Sequence, residues 1–195
     1  MKNNTITIHF RRKREGKTYY KKRIKLLLSN KFRIVVRKSL DNVMASIVEY
    51  NQKGDKVVIA VSSKSLNKLG WKGSTGNMSS AYLTGLLAGQ KAIGKGINEA
   101  ILDLGFNTPT KGSKLYAVVS GAMDSGLKIP FNLDSLPNKK RISGEHIANY
   151  AQLLKKDETR YKRQFSAYIK RGLNPEDIVN HFNEIKGKIH GKEKD

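Results

Sequence analysis

Residues 33–61 read RIVVRKSLDNVMASIVEYNQKGDKVVIAV, and the fold turns on how this stretch is parsed. Arg33 to Arg37 is rich in β-branched residues, which suit the pleated surface of a sheet. Val43 to Tyr50 alternates loosely, with Val43, Ala45, Ile47 and Glu49 set against Met44, Ser46, Val48 and Tyr50. Val57 to Val61 is a continuous apolar run, the pattern of a central strand covered on both faces. Leu40-Asp41-Asn42 and Gln52-Lys53-Gly54-Asp55 supply turns. The expectation is a β-meander whose edge is covered or paired elsewhere.

Toward the C-terminus, residues 62–78 read as a glycine-rich loop around Trp71, the only tryptophan. Trp71, between Lys68 and Lys72, could stack on a base or fold back over the sheet. Residues 79–94 read as the strongest helix, with Ser79 or Ser80 as cap and Leu83, Leu86, Leu87 and Ile93 as its apolar face. Gly85 and Gly89 leave a smooth strip on it where a sheet or helix can come close. Glu99 to Leu104 reads as a short strand. Leu115, Val118, Val119, Ala122 and Met123 then keep helical spacing up to Gly126. Residues 31–130 therefore read β-β-β-α-β-α, an α/β domain with a mixed sheet, hairpins first and helical crossovers after.

Beyond Pro130, residues 131–195 read as a helical C-terminal extension. Ser143 with Glu145 opens one helix toward Leu154. Tyr161, Phe165, Tyr168 and Ile169 seam a second. Asn174-Pro175-Glu176-Asp177 begins a last helix with a cap, a proline and first-turn acids, and Ile178, Val179, Phe182 and Ile185 are its apolar face. These helices read as an appendage packed on a partner, with a charged tail fraying from Lys186.

On the other side, residues 1–30 form a basic arm and helix. Thr5 to Ile8 could make a short strand within an otherwise tail-like arm. Lys17 to Leu28 reads as a helix with a stripe of Tyr20, Ile24, Leu27 and Leu28 that would dock on the protein, its opposite face being lysine and arginine. From Arg11 to Lys38 thirteen cations stand against one acid, Glu15. Self-repulsion opposes compaction of such a stretch, so it calls for a polyanion. The whole chain has 38 Lys and Arg against 16 Asp and Glu, a net charge of +22, as in nucleic-acid-binding proteins.

Other chemistries fare poorly. With no cysteine, disulfide scaffolds, thiolate zinc sites and cysteine nucleophiles drop out. No apolar run approaches the roughly 20 residues of a membrane span, and residues 1–10 lack the apolar segment of a signal peptide. His9, His146, His181 and His190 are scattered without ligand spacing. No phosphate-binding loop, dinucleotide fingerprint or nucleophile elbow is present. The β-β-β-α-β-α order is compatible with a ribonuclease-H-like nuclease, but two-metal hydrolysis needs several converging carboxylates. The first strand is basic at both ends, and Asp103 and Asp124 are too few.

The stretches FRRKREGKTYYKKRIKLLLSNKFRIVVRKS (10–39), GWKGSTGNMSSAYLTGLLAGQKA (70–92), AILDLG (100–105), PTKGSKLYAVVSGAMDSGL (109–127) and RISGEHI (141–147) run in order, and together they resemble the large-subunit ribosomal protein family eighteen in its archaeal form. FSAYIKRGLNPEDI (165–178) resembles the C-terminal extension of archaeal and eukaryotic members. The resemblance implies a ribonuclease-H-like central fold without catalysis or cofactor. It also implies binding to 5S rRNA and large-subunit rRNA in the central protuberance, neighbouring large-subunit proteins as partners, and a place in the cytoplasmic ribosome. Carried onto this chain, the RNA-facing residues would be Arg11, Arg12, Lys13, Arg14, Lys17, Tyr19, Lys21, Lys22, Arg23 and Lys25, extended by Arg33, Arg37 and Lys38. Further contacts would come from Trp71, Lys72, Lys111, Lys114, Lys139, Lys140 and Arg141. Of the two adjacent tyrosines, Tyr19 is expected on RNA and Tyr20 in packing. Recognition would be by shape and phosphate, with a few contacts to unpaired bases.

Overall fold

The computed structural model describes residues 8–191. The elements are α1 (Arg11–Arg14), α2 (Tyr20–Leu27), β1 (Arg33–Lys38), β2 (Val43–Glu49), β3 (Lys56–Ser62), α3 (Met78–Ile93), β4 (Ile101–Asp103) and α4 (Lys114–Asp124). Five helices follow: α5 (Lys139–Ser143), α6 (Glu145–Leu154), α7 (Glu158–Gln164), α8 (Ser166–Lys170) and α9 (Ile178–Gly191). Residues 31–130 thus carry the expected β-β-β-α-β-α order. Of the Thr5 to Ile8 strand read from the sequence, residues 5–7 lie outside the described residues, and Ile8 is in no regular element.

The sheet runs β3-β2-β1-β4. β1 pairs antiparallel with β2 and β2 with β3, whereas β4 lies parallel to β1. A parallel neighbour cannot be reached by a hairpin, and α3 supplies the crossover. Period-2 alternation sends Ile34 and Val36, Val43, Ala45 and Ile47, and Ile59 and Val61 to one buried face. α3 covers β2 and β3 there, and α4 covers β1. Ile34 pairs with Ile47 and Ile47 with Ile59, so the register keeps that face apolar across three strands.

The two helices touch where their side chains vanish. A Cβ on Gly85 would overlap the Val118 carbonyl oxygen, and one on Gly121 the Tyr82 carbonyl oxygen. Gly89 faces Ser125 and the Ala122 carbonyl in the same way. The smooth strip read from the sequence is therefore a helix–helix seam, with Gly121 as its counterpart on α4.

Several expectations change. β3 is an edge strand, not a central one: Val57 is 57% exposed and Ala60 faces solvent, while a register shift at Ile47/Val48 carries the pairing past Val58. Part of the 62–78 loop is a 3-10 helix over Ser63–Leu69, closed by Gly70 at φ 93°. Helix α3 is capped by Asn77, whose Oδ1 accepts from the Ser80 N–H at 2.8 Å, leaving both serines inside the helix. Further on, the last helix of the C-terminal extension needs no outside partner to cover its apolar face, although Tyr150, Leu153 and Ile169 of the preceding helices are exposed. Ile178, Phe182, Ile185 and Ile189 of α9 are buried in the same hydrophobic cluster as the sheet and α3. Ile189 is fully buried, so the helix holds past Lys186 to Gly191. The helix expected through Tyr161 and Ile169 breaks at Phe165, which is itself buried between α7 and α8.

Candidate nucleic-acid interface

The sheet face turned away from α3 and α4 is unlike the other. Alternation places Arg33, Val35 and Arg37 on it, with Asp103 opposite Val35 on β4. The N-terminal arm lies over this face and encloses a cleft of about 280 Å³ between Thr18, Tyr19 and Arg23 and the sheet residues. A chain of charges crosses the cleft. Arg23, on α2, donates two parallel hydrogen bonds to the Asp55 carboxylate, both at 2.8 Å. Arg33 donates to the same carboxylate at 2.6 Å and to Asp103 Oδ2 at 3.1 Å. Arg37 donates to the Asp103 carbonyl at 2.8 Å and stands 3.5 Å from its carboxylate. Partial burial pushes the Asp55 carboxyl up, but hydrogen bonds from Arg33 and Arg23 and the two guanidinium charges outweigh it and hold Asp55 below the ordinary range.

This network corrects part of the sequence reading. Arg33 is 1% exposed, with both ends of its fork spent on carboxylates, so it cannot reach phosphate without leaving the protein. Arg23 is paired, and Arg37 is only about a third exposed. Trp71 is 3% exposed; its ring stacks on His181 of α9 at 5.2 Å, and its N–H donates to the Ser74 carbonyl. It covers the fold and offers no face to a base. Tyr19 and Tyr20 do not divide as expected. Tyr19 is half-buried against Phe106 with the Lys22 ammonium over its ring, and Tyr20 is half-buried against Phe10.

The other cations are where a polyanion could meet them. Arg11, Arg12, Arg14, Lys17, Lys21, Lys22 and Lys25 are exposed, and Lys13 is partly so. A second group gathers beyond the C-terminal end of β1. The Thr75 hydroxyl donates to the Asp41 carbonyl, and the Lys114 ammonium donates to the Gly76 carbonyl at 2.8 Å. The glycine loop, the β1–β2 turn and the start of α4 therefore meet, with Lys38, Lys72 and Lys111 exposed around them. Lys139, Lys140 and Arg141 are exposed on α5. Among the described residues no group of three or more His, Asp or Glu side chains could hold a metal, and Asp103 and Asp124 are each engaged, the latter by the Tyr82 hydroxyl at 2.6 Å. No helix among them is long and apolar enough to cross a membrane.

Sequence reasoning missed the two acids that matter most here. Asp55 reads as a turn residue and Asp103 as a spare carboxylate; the usable signal was that each is a rare acid in a chain of net charge +22.

A family model described as "Ribosomal large subunit proteins 60S L5, and 50S L18" matches residues 5–100. A curated relative, the large ribosomal subunit protein uL18 of Methanococcus maripaludis, is 48% identical over 187 residues, covering 96% of this chain and 97% of its own length. The chain belongs to the uL18 family. That is a family of structural proteins of the large subunit of the cytoplasmic ribosome, not of enzymes. The archaeal form of the resemblance holds along nearly the full length, the C-terminal extension included.

Proposed function

We propose that this protein binds 5S rRNA and helps attach it to large-subunit rRNA in the central protuberance, as a structural constituent without catalysis. The observation that carries the reading is the arm. Seven of the nine cations between Arg11 and Lys25 are exposed, along an element laid on the outer face of the sheet. Lys38, Lys72, Lys111 and Lys114, and Lys139, Lys140 and Arg141, would extend the contact to further RNA, with neighbouring large-subunit proteins as additional partners. Lysine serves there as a point charge, whereas the exposed arginines can grip phosphate through two parallel bonds.

The test compares the full chain with a variant lacking residues 1–25, each titrated with 5S rRNA over a potassium chloride series. None of the described residues before Phe32 belongs to the hydrophobic cluster, so we expect the truncated chain to keep its core, which its circular dichroism checks. We expect binding to be lost on truncation. For the full chain we expect a log-affinity against log-salt slope of several units, at roughly 0.7–0.9 per phosphate neutralised. Tight binding by the truncated chain, or a flat salt profile, refutes the proposal.

A further inference from the structure

We propose that Asp55 is a positioning residue for RNA binding: through Arg23 it clamps the basic helix α2 to the outer face of the sheet and so sets the geometry of the cations on that helix. The inference rests on the RNA-binding reading above and assigns a role to an acid that itself would repel RNA.

Only a thin apolar contact holds α2: Leu26 lies beside Leu102 and Leu104 of the β4 segment, and Tyr20 packs on Phe10. None of its residues is fully buried: Tyr20, Leu26 and Leu27 are half-buried, Ile24 is 60% exposed, and Leu28 just past its end is 79% exposed. Its first turn has no side-chain cap. Its directional attachment is the forked pair between Arg23 and Asp55, which two N–H···O bonds fix in plane as well as in distance. Asp55 is in turn fixed from beneath. Arg33 grips the same carboxylate and is itself buried and tied to Asp103 on β4. One line of charges therefore joins α2, the β2–β3 turn, β1 and β4. Lys21, Lys22 and Lys25 ride on the clamped helix, and presenting them already ordered lowers the entropic cost of binding.

The proposal predicts a sign opposite to that of net charge. Removing an acid from a strongly basic chain strengthens its attraction to any polyanion. If the clamp matters, Asp55→Asn must instead weaken binding. The experiment titrates 5S rRNA with the full chain and with Asp55→Asn, Arg23→Gln and the double variant across a salt series. Arg23→Gln leaves the Arg33 pairs intact and so spares the sheet.

We expect each single variant to bind about five- to tenfold more weakly, less than for a fully buried charge-assisted pair because this one is partly exposed. We expect the double variant to be no weaker than the worse single one, and the salt slope of Arg23→Gln to be unchanged because no phosphate contact is lost. Tighter or equal binding by Asp55→Asn overturns the proposal. So does a slope reduced by about one contact in Arg23→Gln, which would make Arg23 itself a phosphate ligand. Trypsin cleavage after Lys21, Lys22 and Lys25 in the free proteins gives a readout without RNA. Both single variants should be cut several-fold faster there, and unchanged cleavage rates refute the clamp. If the unmodified chain fails to bind 5S rRNA, the functional reading falls while the cleavage comparison still decides the clamp.

Discussion

The two ends of this chain are fastened to the central sheet by opposite forces. At the C-terminal end, α9 inserts Ile178, Phe182, Ile185 and Ile189 into the main hydrophobic cluster, and its polar residues other than His181, which stacks on Trp71, are largely exposed. At the N-terminal end, α2 turns Ile24 to solvent, leaves Leu26 and Leu27 only half-buried, and is oriented by Arg23 on Asp55. An apolar attachment is non-directional and hard to reverse in water, since its strength follows the area removed from solvent. A charge-assisted pair fixes orientation but loosens with salt and with protonation. One end thus behaves as part of the fold, and the other as an oriented handle.

Three measurements can break or sharpen this contrast. The largest effect should come from Phe182→Ala, which empties a buried site against Tyr82. We expect a loss of about 3–5 kcal/mol in denaturant unfolding. A loss below 1 kcal/mol would show α9 to be an ornament. A smaller effect should follow from acid. Asp55 sits below the ordinary aspartate value of 3.8, so its pairing contributes fully above that value and is lost as pH falls through the lowered one. In an NMR titration the Asp55 carboxyl should have its midpoint below 3.8, and the amides of α2 should shift with that same midpoint. A midpoint at or above 3.8 would contradict the ion-paired geometry. The smallest effect should be that of Ile24→Ala, within about 0.5 kcal/mol, because an exposed side chain leaves no cavity. A loss comparable to Phe182→Ala would mean that α2 docks through its apolar stripe after all.

Local pattern was legible wherever the deciding partner is local. The β-β-β-α-β-α order, the turn residues and the Gly85–Gly89 strip could be read because period and turn chemistry are written in neighbouring residues. The inner face of the sheet followed for the same reason. What failed depended on distant partners. Val57 to Val61 is apolar throughout, but whether it is a central strand is set by what pairs beyond β3, and among the described residues no strand does. The stripe on α2 has correct helical spacing, yet Asp55, 32 residues along in sequence, pairs with Arg23 on the inward side, so Tyr20, Arg23, Leu26 and Leu27 are half-buried while Ile24 and Leu28 face solvent. Arg33 looks like every other cation of the arm until Asp103 arrives beside it on β4. Charge density gave the class of partner, while burial decided which cations remain free to meet it.

Trp71 lies flat against His181, its indole and imidazole planes 14° apart. The Lys72 N–H donates to His181 Nε2 at 3.0 Å, so that nitrogen carries no proton. Burial lowers the affinity of this imidazole for a proton, and Lys72 and Lys188 add to that, against the pull of Glu184. Because Trp71 is the sole tryptophan, the chain contains its own optical reporter. Stacked on His181 of α9, it sits where a change in the seating of that helix alters its surroundings, so the fastening of one end can be followed by light in chains with and without the arm.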